Sequence, residues 1–213
     1  MTHARPILDA LFQAMLSQDP PTRARPRTAQ PLAPPYTTSD PATLARAKRG
    51  QADAQAALVR ELQDVWYRYA LSILRDPEQA KDAAQETALR FLKNLPRFQG
   101  GSTLKTWSLG IATNVCRERR RQRWPLALAD APADPDPTPG PRQRAELREQ
   151  RDHLLAVLRD LPDRQREAVA LRFFEQLSIR ETAEAMGCAP GTVKATLSQA
   201  LQSLRQRMGV SNG

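Results

Sequence analysis

SIRETAEAMGCAPGTVKATLSQALQSL, residues Ser178 to Leu204, sets a small residue, a turn glycine and an aliphatic residue at helix-turn-helix spacing. Ala183 lets two helices cross closely, Gly187 supplies the turn, and Val193 fills the angle between the helices. Ser178 caps the first helix, and Glu181 three residues later completes a capping box. The second helix is predicted to start at Pro190, whose missing N–H costs nothing in a first turn. From there Val193, Leu197, Leu201, Leu204 and Met208 recur at steps of three and four as one apolar stripe. Thr192, Lys194, Ala195, Ser198, Gln199 and Gln202 fall on other faces, where mostly small or polar side chains can approach base edges and phosphates. Any two amphipathic helices separated by glycine share part of this pattern, so the DNA reading needs the rest of the chain.

Composition supplies that context. The chain has 213 residues and a formal net charge of +9, which points to a polyanionic partner. Aromatic residues are only 5% of the chain and amphipathic patterns dominate, so an all-α protein with small cores is predicted. The cysteines, Cys116 and Cys188, lie in different segments and outside any metal-spaced cluster, so reduced thiols, no metal and no cofactor are expected. No apolar run nears the ~20 residues that span a bilayer, and no signal peptide is recognisable, so a cytoplasmic location is expected.

Proline divides the chain. Two proline tracts, 20–41 and 125–141, are poor in large apolar residues and cannot support a core. The expected organisation is two small helical domains joined by a Pro-rich linker. Residues 1–42 form a disordered extension, 43–124 a first domain, 125–143 the linker and 144–213 a second domain with the helix-turn-helix. Within the extension Ile7, Leu8, Leu11, Phe12, Met15 and Leu16 recur at helical spacing and suggest a short segment that folds on docking. Residues 43–124 carry 16 Lys+Arg against 8 Asp+Glu, whereas 144–213 carry 11 against 9, so attraction to nucleic acid sits mainly in the first domain. Helices are predicted there over Thr43–Gly50, Asp53–Leu74, Pro77–Leu95 and Thr103 to about Arg123, the last ending in an arginine run. The second domain adds Arg144–Leu161 and a helix from Leu161-Pro162 through Phe174 before the helix-turn-helix.

Assembled, these pieces resemble a group IV, extracytoplasmic-function sigma factor of bacterial RNA polymerase over residues 43–208. The first signature, DAAQETALRFLKNLPRFQGGSTLKTWSLGIATNVCRERRR, resembles sigma domain 2, with Asp82, Gln85, Glu86, Phe98, Trp107, Ile111, Ala112 and Asn114 at family spacing. The second, LPDRQREAVALRFFEQLSIRETAEAMGCAPGTVKATLSQALQSLRQ, resembles sigma domain 4. The resemblance implies that Lys81, Asp82, Gln85 and Glu86 dock the beta-prime clamp of core polymerase and that domain 4 meets the beta flap. It implies −10 element contacts from Phe98, Ser102, Lys105, Asn114, Arg117, Arg120 and Arg121, with an unstacked base captured near the glycine loop. For the −35 element it points to Arg180, Thr192, Lys194, Ser198 and Gln199, with Arg180 and Lys194 suited to phosphates and Ser198 and Gln199 to base edges. Trp107, Phe173 and Phe174 are expected in the core. An anti-sigma factor or another regulator is a further implied partner.

The chain departs from the family pattern at named positions. Lys81 stands where an acidic residue is usual, Ser108 where leucine is usual, and Ala195 and Gln199 replace common polar or basic residues of the reading helix. Thr87, beside Glu86, is expected on the helix surface, where phosphorylation would restore acidity near Lys81. A stand-alone helix-turn-helix regulator is the alternative, but it leaves Asp82, Gln85, Glu86 and the basic helix without a role. An enzyme fits poorly: His3 and His153 are the only histidines, and no P-loop or paired nucleophile is present.

Overall fold

The computed structural model describes residues 40–123 and 161–207. The amphipathic N-terminal stretch, the proline linker, Met208 and the helix expected over Arg144–Leu161, save its last residue, lie outside them. Among the described residues there are seven α-helices and no strand: α1 Pro41–Lys48, α2 Ala52–Leu74, α3 Pro77–Asn94, α4 Leu104–Arg123, α5 Asp163–Val169, α6 Ile179–Met186 and α7 Pro190–Arg207. The all-α reading stands.

Local chemistry sets most helix ends. Asp40 caps α1, and Asp76 caps α3 by accepting from the N–H groups of Glu78 and Gln79. Ser178 accepts from Glu181 N–H while the Glu181 carboxylate accepts from Ser178 N–H, the reciprocal box read from the sequence. Gly187 closes α6 at φ +66°, a left-handed conformation in which a side chain is strained. Ser178→Ala is expected to cost about 1 kcal/mol through loss of the cap, measured as a shift in urea midpoint at unchanged m-value.

The buried apolar side chains form one core with a part in each half. In the first, α2 turns Leu58, Leu62, Val65, Trp66, Tyr69 and Ile73 toward α3 and α4. Trp66 is fully buried with its ring centroid 5.2 Å from that of Phe91, and Trp107 packs at tilted angles between Phe91 and Phe98. Trp107 thus belongs to the core edge, as expected. In the second, Ala183, Met186, Val193, Leu197, Leu201 and Leu204 pack α6 on α7.

The helix expected to run unbroken to Phe174 does not. After Val169 the chain makes a π turn over Ala170–Phe174, with Glu175 N–H bonded to the Ala170 carbonyl at 3.0 Å. This wider turn buries Arg172, which donates to the Leu177 carbonyl, and leaves Phe174 46% exposed. The expectation that Phe174 is core is corrected: the π turn packs Phe173 against the core and leaves Phe174 at its exposed edge. The same turn buries Glu175.

The two halves are also packed on each other, with α6 laid against α4 and α5 and the π turn against α2. A Cβ on Gly110 would lie 3.7 Å from the Ala185 backbone, so α4 and α6 approach almost backbone to backbone.

Candidate nucleic-acid and docking surfaces

The helix-turn-helix exposes the residues that its spacing leaves off the apolar stripe. Val193, Leu197, Ala200, Leu201 and Leu204 are buried, while Thr192, Lys194, Ser198 and Gln199 on α7 and Arg180 on α6 are exposed. The polar side chains predicted for −35 contact therefore share an accessible surface. The Thr196 hydroxyl donates to the Thr192 carbonyl at 2.8 Å.

Helix α4 distributes its cations differently. Arg117 donates from Nε and Nη2 to Glu167 at 3.0 and 2.7 Å, and from Nη2 to the Met186 carbonyl at 3.2 Å. This fork raises the Arg117 pKa through hydrogen bonding to Glu167. One turn later Arg120 pairs with Asp163. At the other end of the helix, Lys105 Nζ donates to the Glu175 carbonyl at 2.6 Å and lies 3.3 Å from its carboxylate, with Arg68 4.0 Å away. Burial holds the Glu175 carboxyl above the usual carboxylate range, against the lowering pull of Lys105 and Arg68. Thr106 donates to Glu181 at 3.3 Å, and Arg166 donates to the Ile73 carbonyl at 3.4 Å. Residues 106, 110, 117 and 120 follow at steps of four, seven and three with Lys105 at their edge, and this broad stripe is the joint between the halves.

The other predicted −10 residues are dispersed. Asn114 and Arg121 are exposed and Ser102 is half-buried. Phe98 is 7% exposed, its ring on Trp107 and its carbonyl accepting from Lys48 Nζ at 2.6 Å. Its ring belongs to the core, because the apolar face of Trp107 leaves it no orientation toward solvent.

The α3 face brings Lys81, Asp82, Gln85 and Glu86 together. Lys81, Asp82 and Gln85 are exposed, and Glu86 is half-buried. Arg119 lies 3.5 Å from Asp82, and Arg90 bridges Glu86 at 2.7 Å and Glu118 at 2.8 Å. Arg90 holds the Glu118 carboxyl below its ordinary range. Leu89, 65% exposed and one turn beyond Gln85 and Glu86, extends the patch with apolar surface. The helical step alone could have flagged it.

Residues 58–125 match the family model described as Sigma-70 region 2, and residues 151–204 match Sigma-70, region 4. The chain is 34% identical over 137 residues to the ECF RNA polymerase sigma factor EcfG of Rhodopseudomonas palustris, a match spanning 64% of this chain and 75% of that one. The chain belongs to the ECF RNA polymerase sigma factors. This sigma factor is also 31% identical over 159 residues to the probable RNA polymerase sigma-C factor of Mycobacterium bovis, covering 74% of this chain and 85% of that one. In fold it resembles the sigma factor RpoE of Bartonella quintana, solved in complex with the anti-sigma factor NepR, at TM-score 0.58 and 24% identity over 72% of this chain and 97% of that one.

One of the sigma factor's departures acquires a physical account, and one expectation is corrected. Ser108 is fully buried and accepts the Trp66 indole N–H at 3.0 Å, so the lost apolar surface is exchanged for a partner to a buried donor. Thr87 is not on the surface: it is 1% exposed and donates to the Ala83 carbonyl at 2.7 Å. Its register puts it with Ala80, Ala83 and Phe91 on the buried face of α3, which removes the phosphorylation expectation.

Proposed function

We propose that this sigma factor binds core RNA polymerase through the α3 face, melts the −10 region with the unit around α4, and reads −35 DNA with α7. The observation that carries the reading is the order of two separate sigma regions in one chain, the second presenting an accessible reading helix. The working division is 43–124 for core docking and −10 contact, 125–143 as linker, and 144–213 for −35 contact. The protein contributes no catalytic chemistry of its own and acts in the cytoplasm. None of the described helices is long and apolar enough to cross a membrane. Lys81, Asp82, Gln85 and Glu86 meet the beta-prime clamp, with the beta flap on the second unit, and an anti-sigma factor is a regulatory partner. The complex of the Bartonella sigma factor with its anti-sigma factor supports that last reading.

Mixed with purified core and separated by size-exclusion chromatography, the protein is expected to co-elute with it. A protein that elutes alone and footprints a promoter tightly without core is instead the stand-alone regulator. Within the holoenzyme, Gln199→Ala is expected to relax discrimination at one −35 base pair by about 1 to 3 kcal/mol. Lys194→Ala should weaken all promoters alike. Binding titrations on a set of single-base promoter variants separate the two, and equal, sequence-independent losses reject base reading by Gln199.

A further inference from the structure

The α4 stripe that forms the joint contains three of the cations assigned to −10 DNA. Lys105, Arg117 and Arg120 are partnered by Glu175, Glu167 and Asp163 of the C-terminal half, and two of these carboxylates, Glu167 and Glu175, are each 2% exposed. We infer that the closed packing is a self-inhibited state, in which Asp163, Glu167 and Glu175 occupy the α4 cations that the open protein offers to promoter phosphates. The inference rests on the −10 role proposed for α4.

Occupation is exclusive on chemical grounds. A guanidinium fork takes a carboxylate or a phosphate through the same pair of N–H groups, and Arg117 already spends Nε and Nη2 on Glu167. Lys105 is held against both the backbone carbonyl and the carboxylate of Glu175. Helix α6 adds a steric cover, with Ala185 over Gly110 at the middle of the stripe. The −35 face is treated differently, since Arg180, Thr192, Lys194, Ser198 and Gln199 all remain exposed. Closure therefore masks one DNA surface and leaves the other available. Opening in the presence of DNA exchanges carboxylate partners for phosphate partners, whereas opening in water leaves the buried charges to be hydrated without that gain. A ligand that binds only the open form draws the population toward it.

Two experiments on the full chain test this. The first is Gly110→Cys with Ala185→Cys in a background carrying Cys116→Ala and Cys188→Ser, since a Cβ on Gly110 would lie 3.7 Å from the Ala185 backbone. With core polymerase on sheared genomic DNA, the oxidised form is expected to initiate about tenfold less than the reduced form, and reduction should restore initiation. Equal initiation by both forms overturns the inference. The second reads the α4 surface without polymerase. Glu167→Gln with Glu175→Gln is expected to bind a fluorescein-labelled single-stranded oligonucleotide about tenfold more tightly than wild type at equal salt. Glu78→Gln with Glu184→Gln makes the same charge change at exposed carboxylates and controls for net charge. An equal gain in both double variants, or none in the first, overturns the clasp. A gain confined to the first variant, in a protein that does not bind core, keeps the clasp and rejects the sigma-factor reading beneath it.

Discussion

Glu167→Ala is expected to weaken the joint between α4 and the C-terminal helices by about 3 kcal/mol, the lower end for breaking a buried ion pair. The lower end applies because Arg117 keeps 22% of its side chain exposed and can rehydrate, whereas Glu167 is 2% exposed. Arg164, 3.7 Å from Glu167, loses a weaker contact as well. The carboxylate also fixes Arg117 over the Met186 carbonyl at the end of α6, so its loss frees that helix end too. The effect is read by denaturation followed with probes placed in each half. Wild type should unfold in one transition, and the variant in two, with the C-terminal half melting first. One coincident transition at an unchanged midpoint would mean that the joint contributes little.

Trp66→Ala is expected to destabilise the N-terminal half by about 3 to 5 kcal/mol, the cost of deleting a fully buried large aromatic. The ring sits against Phe91, which in turn supports Trp107 and Phe98, so its removal opens a cavity at the centre of α2, α3 and α4. Ser108 would lose the indole N–H that its hydroxyl accepts, although that hydroxyl keeps its own donation to the Lys105 carbonyl at 2.9 Å. Trp66→Phe retains most of the apolar volume and should cost about half as much, chiefly the hydrogen bond and the residual cavity. Urea titrations of the two variants check this. A loss under about 1 kcal/mol for alanine would show that the site collapses around the missing ring.

What the sequence made legible was local. Ser178, Glu181 and Gly187 fix the ends of α6 through atoms a few residues apart, and the stripe of Val193, Leu197, Leu201 and Leu204 follows from helical period alone. The α7 residues proposed for −35 contact came out exposed because that same period places them off the stripe. The joint was not legible. Arg117 and Glu167 are separated by 50 positions and Lys105 and Glu175 by 70, with the proline tract between, and each reads locally as an ordinary solvated helix charge. Their burial depends on how two halves pack, which no helical period encodes. Thr87 is a different case: four residues from both Ala83 and Phe91, it was placed on the buried face by spacing that was available to read. Phe174 was misplaced because a π turn is invisible to a fixed 3.6-residue period.

Core polymerase carrying this subunit is expected to select promoters that core alone does not. Core enzyme is run on sheared genomic DNA with and without the full-length protein, and the 5′ ends of the transcripts are sequenced. A discrete set of new 5′ ends is expected that appear only with both components and share two upstream sequence blocks, one at −10 and one at −35. An identical set of 5′ ends with and without the protein would contradict this expectation.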